Sequence, residues 1–238
     1  MTSLSEPYTP RRMAGPSPYS YPDRQCRPLR PFAAPLGVLL IIHAVICFIS
    51  AIAASYIFVD PAMFADERME SADPDTDAVY LIFLSAFSLT ALAERVLFFI
   101  CVFFVCRFTF RAMKNLYTVG SMTPEVTPSM SAAWYFVPFA MWVMPSVAMS
   151  QIHEGSVEEN GRQNQSKLVS YWWGAWLVAQ AASVVTNLSF APADIMGYAV
   201  FIAMLFLGIA ALLLRVLVLR ITQLQDVLML TGKAATFD

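Results

Sequence analysis

The sequence predicts an all-α integral membrane protein with four transmembrane helices and a proline-broken segment that re-enters, or lies along, one face of the bilayer; the alternative is five transmembrane helices. Three observations lead there. Of 238 residues, 58% are hydrophobic and 13% charged, with mean hydropathy +0.59, whereas an average soluble domain has roughly 25% charged residues. The apolar residues are gathered into blocks long enough to cross a bilayer. The basic residues collect on one side only if the number of crossings is even. A net charge of −2 and a pI near 5.7 exclude a nucleic-acid binder, which needs an excess of Lys and Arg to neutralise phosphates.

Residues 1–32 hold seven of the fifteen prolines together with Arg11, Arg12, Arg24, Arg27 and Arg30, and read as a disordered, basic tail. This stretch is too long and too proline-broken for the n-region of a cleaved signal peptide, so the first span is expected in the mature protein. A membrane domain follows over 33–230, with a short tail at 231–238. The first span, 35–59, has His43 as its one strongly polar residue and forms a helix about 37 Å long. Residues 60–77 carry seven acids against Arg68. The second span, 78–106, is interrupted by Glu94 and Arg95. The stretch 132–149 contains Pro138 and Pro145. Spans at 168–190 and 195–214 follow, joined by Ala191-Pro192-Ala193-Asp194. Beyond Arg215, Leu217, Ile221, Leu224 and Leu228 continue at helical spacing with Arg220, Gln223 and Asp226 between them, which predicts an amphipathic extension.

Charge decides the topology. If 132–149 does not cross, 13 of the 15 basic residues fall on the inner side, leaving Arg68 outside and Arg95 in the membrane, as the positive-inside rule requires. The two prolines support this, because broken backbone is tolerated at membrane depth only where protein or water covers it. Both termini are then cytoplasmic and the acidic loop faces outward.

From Arg107 to Gln180 the chain reads RFTFRAMKNLYTVG, then WYFVPFAMWVMP, then SYWWGAWLVAQ. This resembles the bacterial membrane-protein family catalogued as domain of unknown function 4328, which has Arg-x-x-x-Asn…Gly, then Trp-aromatic-x-x-Pro with a second Pro seven residues on, then a Trp-rich start to the next span. The matching positions are Arg111, Asn115 and Gly120; Trp134, Pro138 and Pro145; and Trp172, Trp173 and Trp176. The chain departs at Ala140 and Met144, where the family has Asn and Arg, so a binding role of those polar residues does not carry over here. The resemblance implies a multi-pass protein of the bacterial inner membrane, and no activity.

Charge inside a span is costly unless paired or hydrated. Glu94 lies about 18 Å, and His43 about 12 Å, from the cytoplasmic ends of their spans, with Gln180 at similar depth. His43, Glu94, Arg95 and Gln180 are therefore expected as one polar cluster, either a proton or ion relay or a packing contact, the latter favoured. Arg111 and Asn115 share a helix face and read as a brace for the proline-broken stretch. Arg107, Arg111 and Lys114 mark the interface and attract anionic lipid. Tyr171, Trp172, Trp173 and Trp176 read as interfacial anchors. Ala175, Ala179 and Ser183 form a small-residue stripe for helix packing or a homodimer seam.

Cys26, Cys47, Cys101 and Cys106 lack the spacing of metal or redox motifs, and the last three read as small buried hydrophobes. No cofactor, metal site or catalytic constellation is expected, and no nucleophile has an adjacent base. The expected function is a non-enzymatic binding or scaffolding module; the alternative is a small oligomeric transporter or channel using His43 and Glu94. The expected partners are the lipid bilayer and a protein, either another chain or a second copy of this one.

Overall fold

A computed structural model describes residues 26–58, 72–73, 77–119, 124–157, 166–187 and 192–234. Among these there is no strand. Four helices are long and apolar enough to cross a membrane: α1 (Arg30–Ala54), α2 (Ala78–Val119), α5 (Ser166–Val185) and α6 (Ala193–Ala234). Two shorter helices, α3 (Pro128–Ala133) and α4 (Met144–Gly155), occupy the proline-bearing region, where no helix is long enough to cross. The all-α, four-span membrane fold is therefore the one observed. Large apolar side chains on the outer surface, such as Ile52, Ile82, Leu89, Leu92 and Phe103, form a face that water would not tolerate but lipid does.

Helix ends differ from the sequence expectation. α1 starts at Arg30, inside the stretch read as disordered tail, because Leu29 is fully buried and the Arg27 backbone is bonded to Asn115. α2 continues thirteen residues beyond Cys106, because Phe108, Ala112 and Asn115 prolong a buried face at helical spacing. α6 is unbroken to Ala234, into the expected tail, with Leu217 and Ile221 fully buried. Residues 1–25, most of the acidic loop and Gly120 lie outside the described residues.

α1 and α6 run antiparallel in one register, with Arg30 bonded to Asp226 at 2.9 Å and Phe48 against Gly208. Small residues bring these helices together, as lipid-embedded packing requires: Ala44 and Ala51 on α1, and Ala203 and Gly208 on α6, are buried. A Cβ at Gly208 would sit 2.9 Å from the Phe48 ring. The α5 stripe also turns inward, with Ala175 and Ala179 buried, so it serves packing within the chain.

The segment between α2 and α5 enters and leaves at the same end of the bundle. It departs near Tyr117, whose hydroxyl donates to the Pro124 carbonyl. Thr127 caps α3 by accepting from the Met130 N–H, and Pro128 fits the first turn, where no N–H is needed. At its inner part, Cys106 Sγ donates to the Ala132 carbonyl, nine residues and about 14 Å from Asn115 along α2. Phe139 then turns the chain: with φ 62° and ψ −46°, and Ala140 N–H bonded to the Pro138 carbonyl at 2.7 Å, it is the centre of a strained γ-turn. α4 carries the chain back, with Pro145 in its first turn, and ends where Ser156 meets Gln225 of α6.

His153 on α4 is fully buried, and neither ring nitrogen has a hydrogen-bond partner. Burial, with the Arg220 charge adding, holds its imidazole below the ordinary range. The unfolded chain, titrating near 6.5, therefore binds more protons just below that pH, and stability falls on acidification. We expect the melting temperature in detergent to drop between pH 7 and pH 5, His153 contributing at most about 1.4 kcal/mol per pH unit. His153→Leu should make that slope shallower; an unchanged slope would rule the assignment out.

Candidate functional site

All four long helices and the re-entrant segment line a half-open cavity of about 270 Å³. α1 supplies Leu40 and His43, α2 the wall from Phe98 to Val105, and α6 the wall from Leu207 to Leu214. The re-entrant segment adds Tyr135, Phe136 and Met141, and α5 adds Trp172, Trp173, Trp176 and Gln180. The lining is almost wholly apolar, with few polar groups aimed inward, which is the composition of a small-molecule site. The Tyr135 hydroxyl is buried without a hydrogen-bond partner.

The tryptophans do not sit as interfacial anchors. Trp172 and Trp173 are buried, while Tyr171 is exposed. Positions 172, 173 and 176 share one helix face, and here that face meets the re-entrant segment. Trp173 stacks on Trp176 with centroids 4.5 Å apart, and Trp176 meets Trp142 at 5.9 Å. Trp173 Nε1 donates to the Trp142 carbonyl at 3.0 Å, using an acceptor exposed by the break before α4. Trp134 is half-buried against the same core. A Trp-rich helix start looks the same in sequence whether it faces headgroups or the bundle, so orientation was the missing information.

The expected polar cluster forms in part. His43 Nε2 lies 3.9 Å from Glu94 Oε1, and both side chains are buried. Arg95 departs from the expectation, because its side chain lies on the outer surface and only reaches back to Glu94 Oε2 at 4.0 Å. Adjacent helical positions point about 100° apart, so Glu94 and Arg95 cannot both face inward. Gln180 lines the same cavity as His43. Cys47, read from sequence as a buried hydrophobe, stands with Sγ 3.7 Å from His43 Nε2; its i, i+4 spacing from His43 was the available signal.

At the end of the bundle where α2 and α6 carry Arg107 and Arg220, Asn115 ties four segments together. Its Nδ2 donates to the Arg27 carbonyl at 3.0 Å and to Gln225 Oε1 at 2.9 Å, while its Oδ1 accepts from the Arg27 N–H at 3.3 Å. Gln225 Nε2 in turn donates to the Ala112 carbonyl and to Ser156 Oγ, both at 3.1 Å. Asn115 therefore braces the N-terminal segment and α6 directly, and α4 only through Gln225. Gln225 was missed, although it continues the buried Leu217–Ile221 face by one more helical turn. Arg111 is half-buried beside Arg27 and Arg107 in a cleft also lined by Phe32 and Phe110.

A family model described as Domain of unknown function (DUF4328) matches residues 76–223. The chain belongs to this family. No curated protein and no solved structure matches. Within the DUF4328 match, the Asn115 motif position is the hub of the hydrogen-bond network, and Trp172, Trp173 and Trp176 form a cavity wall. Pro138 and Pro145 flank the turn that delivers Met141 and Trp142 to that wall. His43 and Cys47 precede the matched DUF4328 region, and Glu94 lies within it.

Proposed function

We propose that this protein is a multi-pass, non-enzymatic binding module of the bacterial inner membrane, with both termini cytoplasmic, and that its ligand occupies the cavity between the helices and the re-entrant segment. The carrying observation is that the family-motif residues Trp172, Trp173 and Trp176 and the intramembrane polar residues Gln180 and, from far away in sequence, His43 line the same space. The lining suits an apolar chain or ring bearing one or two hydrogen-bonding atoms, to be met by Tyr135, Gln180 and His43. Phe99 and Phe136 border the cavity and are exposed on the outer surface, which favours entry from lipid. The cleft of Arg27, Arg107 and Arg111 supports contact with anionic headgroups, at about 1 kcal/mol per cation.

Of the five tryptophans, at 134, 142, 172, 173 and 176, three line the cavity and Trp142 packs on one of them, so a heavy-atom quencher tests the reading. A dibrominated stearate should quench the emission of the protein in nanodiscs saturably, and Ala211→Phe, which fills the cavity from α6, should abolish saturation while helical content is kept. Linear quenching, identical in both proteins, would refute the proposal.

A second reading, proton-linked transport by a small oligomer, draws on the facing of His43 and Glu94. It expects Glu94→Gln to fold normally in proteoliposomes yet lose pH-driven flux; absence of any flux in the parent protein rejects it.

A further inference from the structure

The cluster beside the cavity has the chemistry of a metal site. α1 presents His43 and Cys47 one turn apart, and α2 brings Glu94 across to them. Each offers a donor atom, and the three donors, a nitrogen, a sulfur and an oxygen, lie within 4.8 Å of one another. All three residues are at most 2% exposed. At 3.9 Å the His43–Glu94 approach is too long for a hydrogen bond. His43 Nδ1 and Glu94 Oε1 have no hydrogen-bond partner, although groups so buried are normally satisfied. The nearest cation, Arg95, stays on the outer surface at 4.0 Å.

A tetrahedral ion with bonds of about 2.0 Å to nitrogen and oxygen and about 2.3 Å to sulfur holds its donors about 3.3–3.6 Å apart. The cluster is wider, with 3.7 Å between Cys47 Sγ and His43 Nε2, 3.9 Å between His43 Nε2 and Glu94 Oε1 and all three donors within 4.8 Å, so the side chains rotate inward to close on an ion. Charge points the same way. One thiolate and one carboxylate cancel a divalent ion, so the filled site is neutral, as an apolar surrounding favours. A thiolate beside an imidazole selects a zinc-like ion over magnesium or calcium.

We propose that His43, Cys47 and Glu94 form an intramembrane site for a divalent ion of the zinc class, with a fourth, exchangeable position. Binding deprotonates the Cys47 thiol and releases that proton to solvent, so affinity rises with pH. The site does not depend on the cavity's occupant: metal binding and quenching by the brominated probe can succeed or fail separately.

The test uses Co²⁺ alone as the probe, on the full chain in nanodiscs. The expected result is one Co²⁺ per chain, with a thiolate-to-cobalt absorption band that Zn²⁺ displaces. Cys47→Ser should abolish the band, Glu94→Gln should weaken binding about tenfold or more, and Cys106→Ser should change neither. Absence of stoichiometric binding, or a band that survives Cys47→Ser, overturns the proposal. A readout on the parent protein guards against misfolded variants. Zn²⁺ should protect Cys47, but not Cys106, from a membrane-permeant alkylating reagent, as read by peptide mapping; equal Cys47 labelling with and without Zn²⁺ also overturns it.

Discussion

Asn115→Leu should lower the melting temperature of the detergent-solubilised protein more than any other single change at the Arg107 end of the bundle. The substitution leaves the Arg27 N–H and carbonyl and Gln225 Oε1 without their partner. An orphaned buried polar group costs about 1–3 kcal/mol; Gln225 is buried while the Arg27 bonds are only partly so, so the expected loss is on the order of 2–3 kcal/mol. Because replacing both members of a buried pair by apolar groups is far milder than replacing one, Asn115→Leu combined with Gln225→Leu should lose less than the sum of the two single losses, even though Gln225→Leu also removes the bonds to Ala112 and Ser156. Strict additivity in thermal melts would show that the two side chains are not coupled.

Trp173→Ala should produce a comparable loss at the other end of the re-entrant segment. It removes the ring stacked on Trp176 and the donor to the Trp142 carbonyl, and truncation of a buried Trp costs about 3–5 kcal/mol. Trp173→Phe keeps one aromatic ring and loses the N–H, so its cost should be that of the unpaired carbonyl, about 1–3 kcal/mol, plus a smaller packing loss than in the alanine variant. Thermal unfolding of the pair separates packing from hydrogen bonding. Equal losses in both variants would assign the whole effect to the bond.

The four long helices were legible because blocks such as Leu36–Ile49 and Phe98–Val105 have no reasonable home outside lipid. The return of the proline-bearing segment to its starting side was legible from charge, through Arg107, Arg111, Arg215 and Arg220. Helix ends were legible only in part: the spacing of Leu217, Ile221, Leu224 and Leu228 gave the extension of α6 beyond Arg215, but residues 107–119 mix polar and apolar side chains, and only the bonds of Asn115 and Gln225 show that this end of α2 remains packed. Depth along each span anticipated the approach of His43 and Glu94. It could not give the rotation that sends Arg95 outward, nor show that Cys47 stands beside His43 as a donor. The tryptophans escaped for a similar reason, since their partners Trp142 and Met141 arrive from a segment whose path depends on one γ-turn at Phe139.

α6 passes through the chamber wall at Leu214 and the Asn115 clasp at Gln225 without a break. The two points are eleven residues, about 17 Å, apart on a single stiff rod. Neither can shift alone: whatever pushes the wall outward must lever against the clasp, and whatever loosens the clasp relaxes the wall.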